Sequence, residues 1–314
     1  MLYMIRKALD YYQHEGLTGV AAASLRRLLW SSREAYRRRY WVRLIKQSNL
    51  TIHIGSLKLT LSPNDTGISR ELAIEGTHEP VFTQLLLQLV QEGMTVVDIG
   101  ANIGYYALQI ALRVGDQGRV IAFEPAPQTY ALLQHNIHQN QLTNIVTMPY
   151  AIGAVQEEVE FFLYEQSNWN SFVRHGAPVG KVQVPVYPLD VILPRLATRV
   201  DLIRMDIEGY EAHAVHGMQS ILHQYHPIIC MELHCSLMDP SEVRNLLERL
   251  RCLGYEIKYA IQRSKDEVYW GRLLAPRKRL IETISIIDFL NDNRVNFYRE
   301  NFSLILSADS EGFS

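Results

Sequence analysis

The sequence predicts an α/β fold, a mainly parallel sheet with helices packed on both faces. Short apolar runs alternate with amphipathic stretches through the middle of the chain, and one run passes through a glycine-containing loop into a helix. No internal repeat or low-complexity tract is present. Strands alternating with helices imply right-handed crossovers and hence parallel pairing.

Residues 1–47 carry apolar residues at helical spacing, and Ser24 or Ser31-Ser32 suits a second helix start. Thr51–Leu61 alternates around Gly55-Ser56, the pattern of a hairpin. Asn64–Gly67 reads as a turn, and Pro80 opens a helix expected to run to about Gln91 and to stop at Gly93. Strands are expected at Met94–Asp98, Arg119–Glu124, Ile145–Pro149, Val200–Asp206, Ile228–Leu233, Tyr255–Ile261 and Phe302–Ser307. Between them, helices are expected at Tyr105–Val114, Pro127–Gln139, Leu189–Leu196, Tyr210–Tyr225 and Ser241–Leu253. Glu158–Tyr164 and Lys181–Tyr187 alternate and read as an added hairpin across a loop. The expected organisation is a helical and hairpin extension over 1–75 and a ligand-binding domain over 76–314.

A chain of 314 residues, 47% apolar and 20% charged, is long enough to bury a full core. Cys230, Cys235 and Cys252 are too few for a disulfide framework, so a reducing compartment is expected. No run of 18 apolar residues and no cleavable signal is found, so the expected location is cytoplasmic. The net charge of -2 hides an asymmetry: residues 1–46 hold ten basic and three acidic residues, +7, and the remainder carries -9. Arg33, Arg37, Arg38, Arg39, Arg43 and Lys46 are interleaved with Trp30, Tyr36, Tyr40 and Trp41. A solvated helix explains this first. Peripheral contact of residues 1–46 with the anionic inner face of a membrane is the sharper reading.

The most informative segment is Asp98-Ile99-Gly100-Ala101-Asn102-Ile103-Gly104. It follows an apolar strand and opens a helix, the context a nucleotide-binding loop needs. Glycines allow a tight turn and close backbone approach, and a helix start offers N–H groups to an anion. Glu124 ends the next strand, where a carboxylate can accept from two ribose hydroxyls. A dinucleotide fingerprint starting at Gly100 needs glycine at 102 and 105, which hold Asn102 and Tyr105. The spacing suits a ligand with a carboxylate and an amine but no pyrophosphate. In that reading Asp98 holds the amine and the loop N–H groups the carboxylate.

With V-I-A-F-E-P at 120–125 and M-D-I-E-G-Y-E at 205–211, this segment resembles the FkbM family of class I S-adenosylmethionine-dependent methyltransferases. Glu79-Pro80, Tyr150-Ala151-Ile152-Gly153, Val184-Pro185-Val186 and Leu189-Asp190 fit as well, so the resemblance spans about Asp65 to Tyr255. It implies a Rossmann-like fold with a seven-stranded, mostly parallel sheet of order 3-2-1-4-5-7-6. It implies S-adenosyl-L-methionine as cofactor and O-methylation of a hydroxyl on a small-molecule, sugar, glycan or secondary-metabolite acceptor. It also implies that Gly100, Asn102 and Gly104 line the methionine moiety, that Glu124 holds the ribose and that Ala151 lies near the adenine. The expected cofactor set is Asp98, Gly100, Ala101, Asn102, Gly104, Tyr105, Glu124, Pro125 and Ala151.

A second cluster carries the expected catalytic residues. Asp206 and Glu208 end one strand, and Glu232 and His234 end the next, at the carboxyl edge where open α/β sheets bind ligands. Transfer to a hydroxyl needs the oxygen about 3 Å from the methyl carbon and a base for its proton. His234 is the first candidate base, Glu208 its rival, and Asp206 a third participant. A divalent metal on Asp206, Glu232 and His234 is a further reading of the same cluster, and no metal is assigned from sequence. The polar, aromatic segment Ser167–Phe172 reads as a cover for the acceptor site. Two other functions fit parts of the sequence: RNA methylation, suggested by the basic N-terminus, and a non-catalytic binding module on the cofactor fold. The turn Asp-Ile-Glu-Gly lacks the Asn/Asp-Pro-Pro-Tyr form used by many amino-methylating enzymes, so nucleic acid is not expected as acceptor.

Overall fold

The computed structural model describes residue 32 and residues 35–46, 50–263, 280–291 and 301–308. The chain divides into two compact units, Met1–Ser48 and Asn49–Ser314. In the first, residues 35–44 form a helix, α1, whose exposed residues include Arg38, Arg39, Val42 and Arg43 and a stacked Tyr36–Tyr40 pair 6.2 Å apart. The expected helix starts at Ser24 and Ser31 lie outside the described residues.

The second unit begins with a hairpin, β1 (Thr51–Ile54) and β2 (Leu57–Thr60), turning at Gly55-Ser56 as the alternation predicts. The sequence reading grouped this hairpin with the N-terminal extension, but it lies within the second unit. Its free edge is satisfied by amide side chains of helix α5 (Pro127–Gln139). Asn136 accepts from Thr60 N at 2.8 Å and donates to Thr60 O at 3.1 Å, and Asn140 does the same for Lys58 at 2.8 and 2.6 Å. A strand edge next to a helix offers only side chains as partners, and these asparagines supply both donor and acceptor.

Two helices follow, α2 (Ile68–Glu75) and α3 (Pro80–Leu89). The sequence reading missed the first and extended the second by about two residues. Asp65 accounts for α2: its carboxylate accepts from Gly67 N and Ser69 N, both at 2.8 Å, so it caps a helix start that lacks a capping residue at Gly67.

The main sheet alternates with helices. It comprises β3 (Thr95–Ile99), β4 (Arg119–Phe123), β5 (Ile145–Met148), β9 (Leu202–Met205), β10 (Ile228–Leu233), β11 (Glu256–Arg263), β12 (Leu280–Ile284) and β13 (Asn301–Ser307). The spatial order is β12-β11-β13-β10-β9-β3-β4-β5. Without β12 this is the order 3-2-1-4-5-7-6 implied by the resemblance, and β12 adds an eighth strand, antiparallel to β11. That strand falls in the stretch between Ile261 and Phe302 to which no structure was assigned. The strands β5, β4, β3, β9 and β10 pair in parallel, and β13 is antiparallel to both its neighbours. β3 is buried along its whole length, as parallel strands covered on both faces require. The core around it gathers Val97, Ile99, Ile121, Phe123, Ile203, Met205, Ile229 and Met231.

Beside this sheet lies a smaller one, order β6-β8-β7, from β6 (Ala151–Ile152), β7 (Glu157–Leu163) and β8 (Gly180–Tyr187). Its antiparallel pair β7–β8 is the hairpin expected from alternation. The single helix expected over Tyr210–Tyr225 is two helices, α7 (Glu211–His216) and α8 (Gln219–Tyr225), after a short α6 (Leu189–Ile192). At the break, a Cβ on Gly217 would sit 1.9 Å from the carbonyl oxygen of Gly153, so the chain must run bare there. Asp190 then restarts the helix by accepting from Ser220 N and Ile221 N at 3.0 Å each. Helix α9 (Pro240–Cys252) opens with a capping box between Asp239 and Glu242, and α10 (Ile286–Asn291) precedes the last strand. Among the described residues, no helix is long and apolar enough to cross a membrane.

Candidate active site

The carboxyl edge of the sheet carries a cavity lined by the glycine loop, the ends of the strands and the Ser167–Phe172 segment. The loop from β3 into α4 (Tyr105–Val114) forms one wall. Gly100 adopts φ +81°, and a Cβ there would lie 2.1 Å from the Asp206 carbonyl oxygen. That contact is why the loop can press against the end of β9. Gly104, at φ +94°, caps α4; a Cβ on it would meet Leu108 and Leu133 at 2.5 and 2.8 Å. Gly104 therefore serves the packing of helix against helix and does not line the cavity, contrary to expectation.

The loop N–H groups were expected to hold a carboxylate, and the structure commits them elsewhere. Gly100 N and Ala101 N donate to Phe123 O, Asn102 N to Glu124 Oε2, Ile103 N to Asn102 Oδ1 and Gly104 N to Ala101 O. Asn102, at φ +49°, is thus fixed by its own side chain and by Glu124. Glu124 accepts from Ala126 N at 2.9 Å and Asn102 N at 3.0 Å. Burial pushes its carboxyl up to about 7, although the two N–H donors hold it down. Of the nine expected cofactor residues, Gly100, Ala101, Asn102, Tyr105, Glu124, Pro125 and Ala151 line the cavity. Tyr150, Ile152 and Phe123 extend its apolar side.

Asp98 does not line it. The carboxylate is fully buried and faces Arg204, which is its direct cross-strand neighbour on β9. Arg204 Nη1 reaches Asp98 Oδ1 at 3.2 Å and Gly100 O at 2.8 Å, and Nη2 reaches Asp206 Oδ2 at 2.7 Å. The guanidinium also lies 4.4 Å over the Tyr106 ring. Burial alone would lower its proton affinity, but Asp98 and Asp206 more than offset that and hold it above the usual arginine value. Arg204 thereby ties strand β3, the glycine loop and Asp206 together. The sequence reading missed it, although a lone charge inside an apolar strand, beside a strand carrying a lone acid, is the signal of such a pair.

The second cluster converges as expected. His234 Nδ1 lies 2.8 Å from Glu211 Oε1, and Nε2 lies 3.1 Å from Glu232, 3.4 Å from Glu208 and 3.8 Å from Asp206. His234 is buried and does not line the cavity, and both ring nitrogens face carboxylates. Burial disfavours its charge, yet Glu208 and Glu211 outweigh burial and hold it well above its ordinary value. Asp206 and Glu208 do line the cavity. Asp206 is engaged by Arg204. Glu208, at φ +50°, is the carboxylate turned to the cavity without an arginine on it, and its own carbonyl accepts from Ser171 Oγ at 2.6 Å. Glu211, unassigned from sequence, orients His234 and also accepts from Gly209 N at 3.1 Å.

The segment Ser167–Phe172 sits over this space: Ser167, Asn168, Asn170 and Phe172 line the cavity. Asp65 anchors it, accepting from Ser167 N at 2.9 Å and Ser167 Oγ at 3.0 Å, and Ser167 Oγ also lies 3.2 Å from Asn102 Oδ1. The acid that caps α2 therefore links the cover to the glycine loop. Phe172 packs on Tyr210 with ring centroids 4.5 Å apart.

Residues 98–257 match the FkbM methyltransferase domain. The chain is 24% identical to Methyltransferase 1 of Beauveria bassiana (strain ARSEF 2860), over 57% of this chain and 80% of that protein. It is 27% identical to Methyltransferase sdnD of Sordaria araneosa, over 56% of this chain and 76% of that protein. Among solved structures, the FkbM methyltransferase of Methylobacillus flagellatus KT is 16% identical over 73% of this chain and 56% of that chain, with a TM-score of 0.40.

Proposed function

Because the chain belongs to the FkbM methyltransferase family and uses S-adenosylmethionine, we propose that it methylates a hydroxyl oxygen of a sugar-like or other polyhydroxylated small molecule. One observation carries this reading: the glycine loop with Glu124 and the carboxylates Asp206 and Glu208 open into the same cavity. The cavity suits the cofactor. Glu124 uses two of about four acceptor positions on backbone N–H groups, which leaves two for the ribose hydroxyls. Tyr150, Ala151 and Ile152 supply apolar surface for the adenine. Bound there, S-adenosylmethionine supplies an electrophilic methyl group on a sulfonium.

The residues of this chain do the rest. A hydroxyl is a weak nucleophile until its proton has somewhere to go, and Glu208, beside Asp206 in the cavity, carries no arginine and has His234 Nε2 3.4 Å away. Asp206, held by Arg204, orients the acceptor. Phe172 and Tyr210 offer the aromatic surface on which a sugar ring packs, and the Ser167–Phe172 cover limits water. The exposed basic and aromatic face of α1 supports contact with an anionic membrane surface. Retention on anionic vesicles that falls on deletion of residues 1–46 is the expected result; unchanged retention contradicts that part.

Calorimetry with S-adenosylhomocysteine tests the cofactor assignment. Glu124→Ala is expected to weaken binding roughly tenfold or more while leaving the fold intact. The ionised form of Glu124 accepts ribose hydroxyls best, and its carboxyl titrates at about 7. Affinity is therefore expected to rise with pH through 7, by roughly tenfold between pH 6 and pH 8, and the slope should vanish in Glu124→Gln. A flat profile in the parent chain contradicts the ribose role.

A further inference from the structure

We propose that the side-chain amides of Asn168 and Asn170 on the cover, together with Asn102 on the glycine loop, bind the carboxylate of the cofactor's methionyl end. All three line the cavity. In two of them a backbone donor settles which way the amide faces. Asn102 Oδ1 accepts from Ile103 N at 2.8 Å, and Asn170 Oδ1 accepts from Tyr164 N at 2.9 Å. A carbonyl oxygen can accept from an N–H and an amide nitrogen cannot, so Nδ2 is what each residue has left to offer. Among the described residues neither Nδ2 has a hydrogen-bond partner. In Asn168 neither end of the amide has one, and Oδ1 is buried. That oxygen lies against Gly67, where a Cβ would collide with it, and Nδ2 is the end left open. Unpaired amides in a folded chain are costly, and three around one cavity suit a ligand rich in oxygen acceptors.

Their place in the cavity points to the methionyl end. Asn102 N donates to Glu124, the ribose partner, and Ser167 Oγ, one residue before Asn168, stands 3.2 Å from Asn102 Oδ1. A cofactor with its ribose on Glu124 and its adenine on Tyr150–Ile152 runs its methionyl end toward this junction of loop and cover. Charge points to the carboxylate. Glu124, Asp206 and Glu208 line the same cavity, so they attract the ammonium and the sulfonium and repel an anion. Among the described residues, the cations lining it already face carboxylates: Arg204 meets Asp98 and Asp206, and His78 Nδ1 lies 3.0 Å from Glu71. The glycine-loop N–H groups are taken within the chain. Neutral amide donors are then the groups at this junction for an anion, and each hydrogen bond to a carboxylate is strengthened by its charge. Cofactor held in this way also ties down the cover.

The carboxylate role requires S-adenosylmethionine in the cavity, and two ligands separate the two claims. Calorimetry at pH 8 compares S-adenosylhomocysteine with its decarboxylated analogue, which keeps the amine. Asn168→Asp and Asn170→Asp keep the shape and the Oδ1 acceptor and replace the donor with negative charge. Each is expected to weaken S-adenosylhomocysteine roughly tenfold or more, with no loss for the analogue. Asn168→Ala should weaken S-adenosylhomocysteine selectively as well, without added charge. Circular dichroism checks the folding of each variant, and if one fails to fold the others carry the test. Tighter binding of S-adenosylhomocysteine by the aspartate variants puts the amides on the ammonium and overturns the proposal. Unchanged affinity overturns it too, as does an equal loss for both compounds in a folded variant, the mark of a purely structural role. In each of these cases the parent chain still binds S-adenosylhomocysteine and the cofactor reading stands. A parent chain that binds neither compound overturns both.

Discussion

Arg204→Met is expected to destabilise the folded chain by roughly 3–5 kcal/mol, the loss typical of breaking a buried ion pair from one side. The reason is Asp98, fully buried, with Oδ1 on Arg204 and Oδ2 without a hydrogen bond. Burial already raises the Asp98 carboxyl, and the arginine opposes that. Without the arginine, the folded-state proton affinity of Asp98 rises further above its unfolded value. Such a group costs stability as pH rises through the folded value, so the variant should lose less at pH 5 than at pH 8. Denaturant unfolding at the two pH values checks both parts. A loss below about 1 kcal/mol at pH 8 contradicts the account of this pair. Arg204→Lys should not restore stability, because a single ammonium cannot reach Asp98, Asp206 and the Gly100 carbonyl as the planar guanidinium does.

Glu208→Gln is expected to lower turnover by roughly 100- to 10,000-fold, the range of a general base, with affinity for S-adenosylhomocysteine unchanged. The exchange preserves shape and the backbone turn at φ +50° while removing the proton acceptor. His234→Gln acts differently. It disturbs four carboxylates around a ring that does not line the cavity, so its effect should include a loss of stability that Glu208→Gln does not show. Equal turnover in the parent chain and Glu208→Gln contradicts the assignment of the base.

The parts of this fold that follow from local pattern were legible in the sequence. Tyr105–Val114, Pro127–Gln139 and Ile228–Leu233 stand where periodicity and Pro127 put them. The break at Gly217 was not legible, because it depends on the Gly153 carbonyl, brought near only by the tertiary fold. The same limit governs the site. The glycine loop and Glu124 could be read from spacing along one strand–loop–helix unit. The pairing of Asp98 with Arg204 needed the adjacency of β3 and β9, and it moved Asp98 from ligand binding to support. His234 was read from its ordinary proton affinity, whereas four surrounding carboxylates decide its behaviour. Gly104, read as part of the same motif, is required by the packing of Leu108 and Leu133 against it, a contact that only the fold reveals.

The central claim is methyl transfer to a hydroxyl in this cavity. It is tested most directly by incubating the chain with S-adenosylmethionine labelled in its methyl group and a panel of sugars, glycans and hydroxylated metabolites. The account predicts label in an alkali-stable methyl ether, with the yield falling at least 100-fold in Glu208→Gln. Label recovered in an N-methyl group or an alkali-labile methyl ester would contradict it.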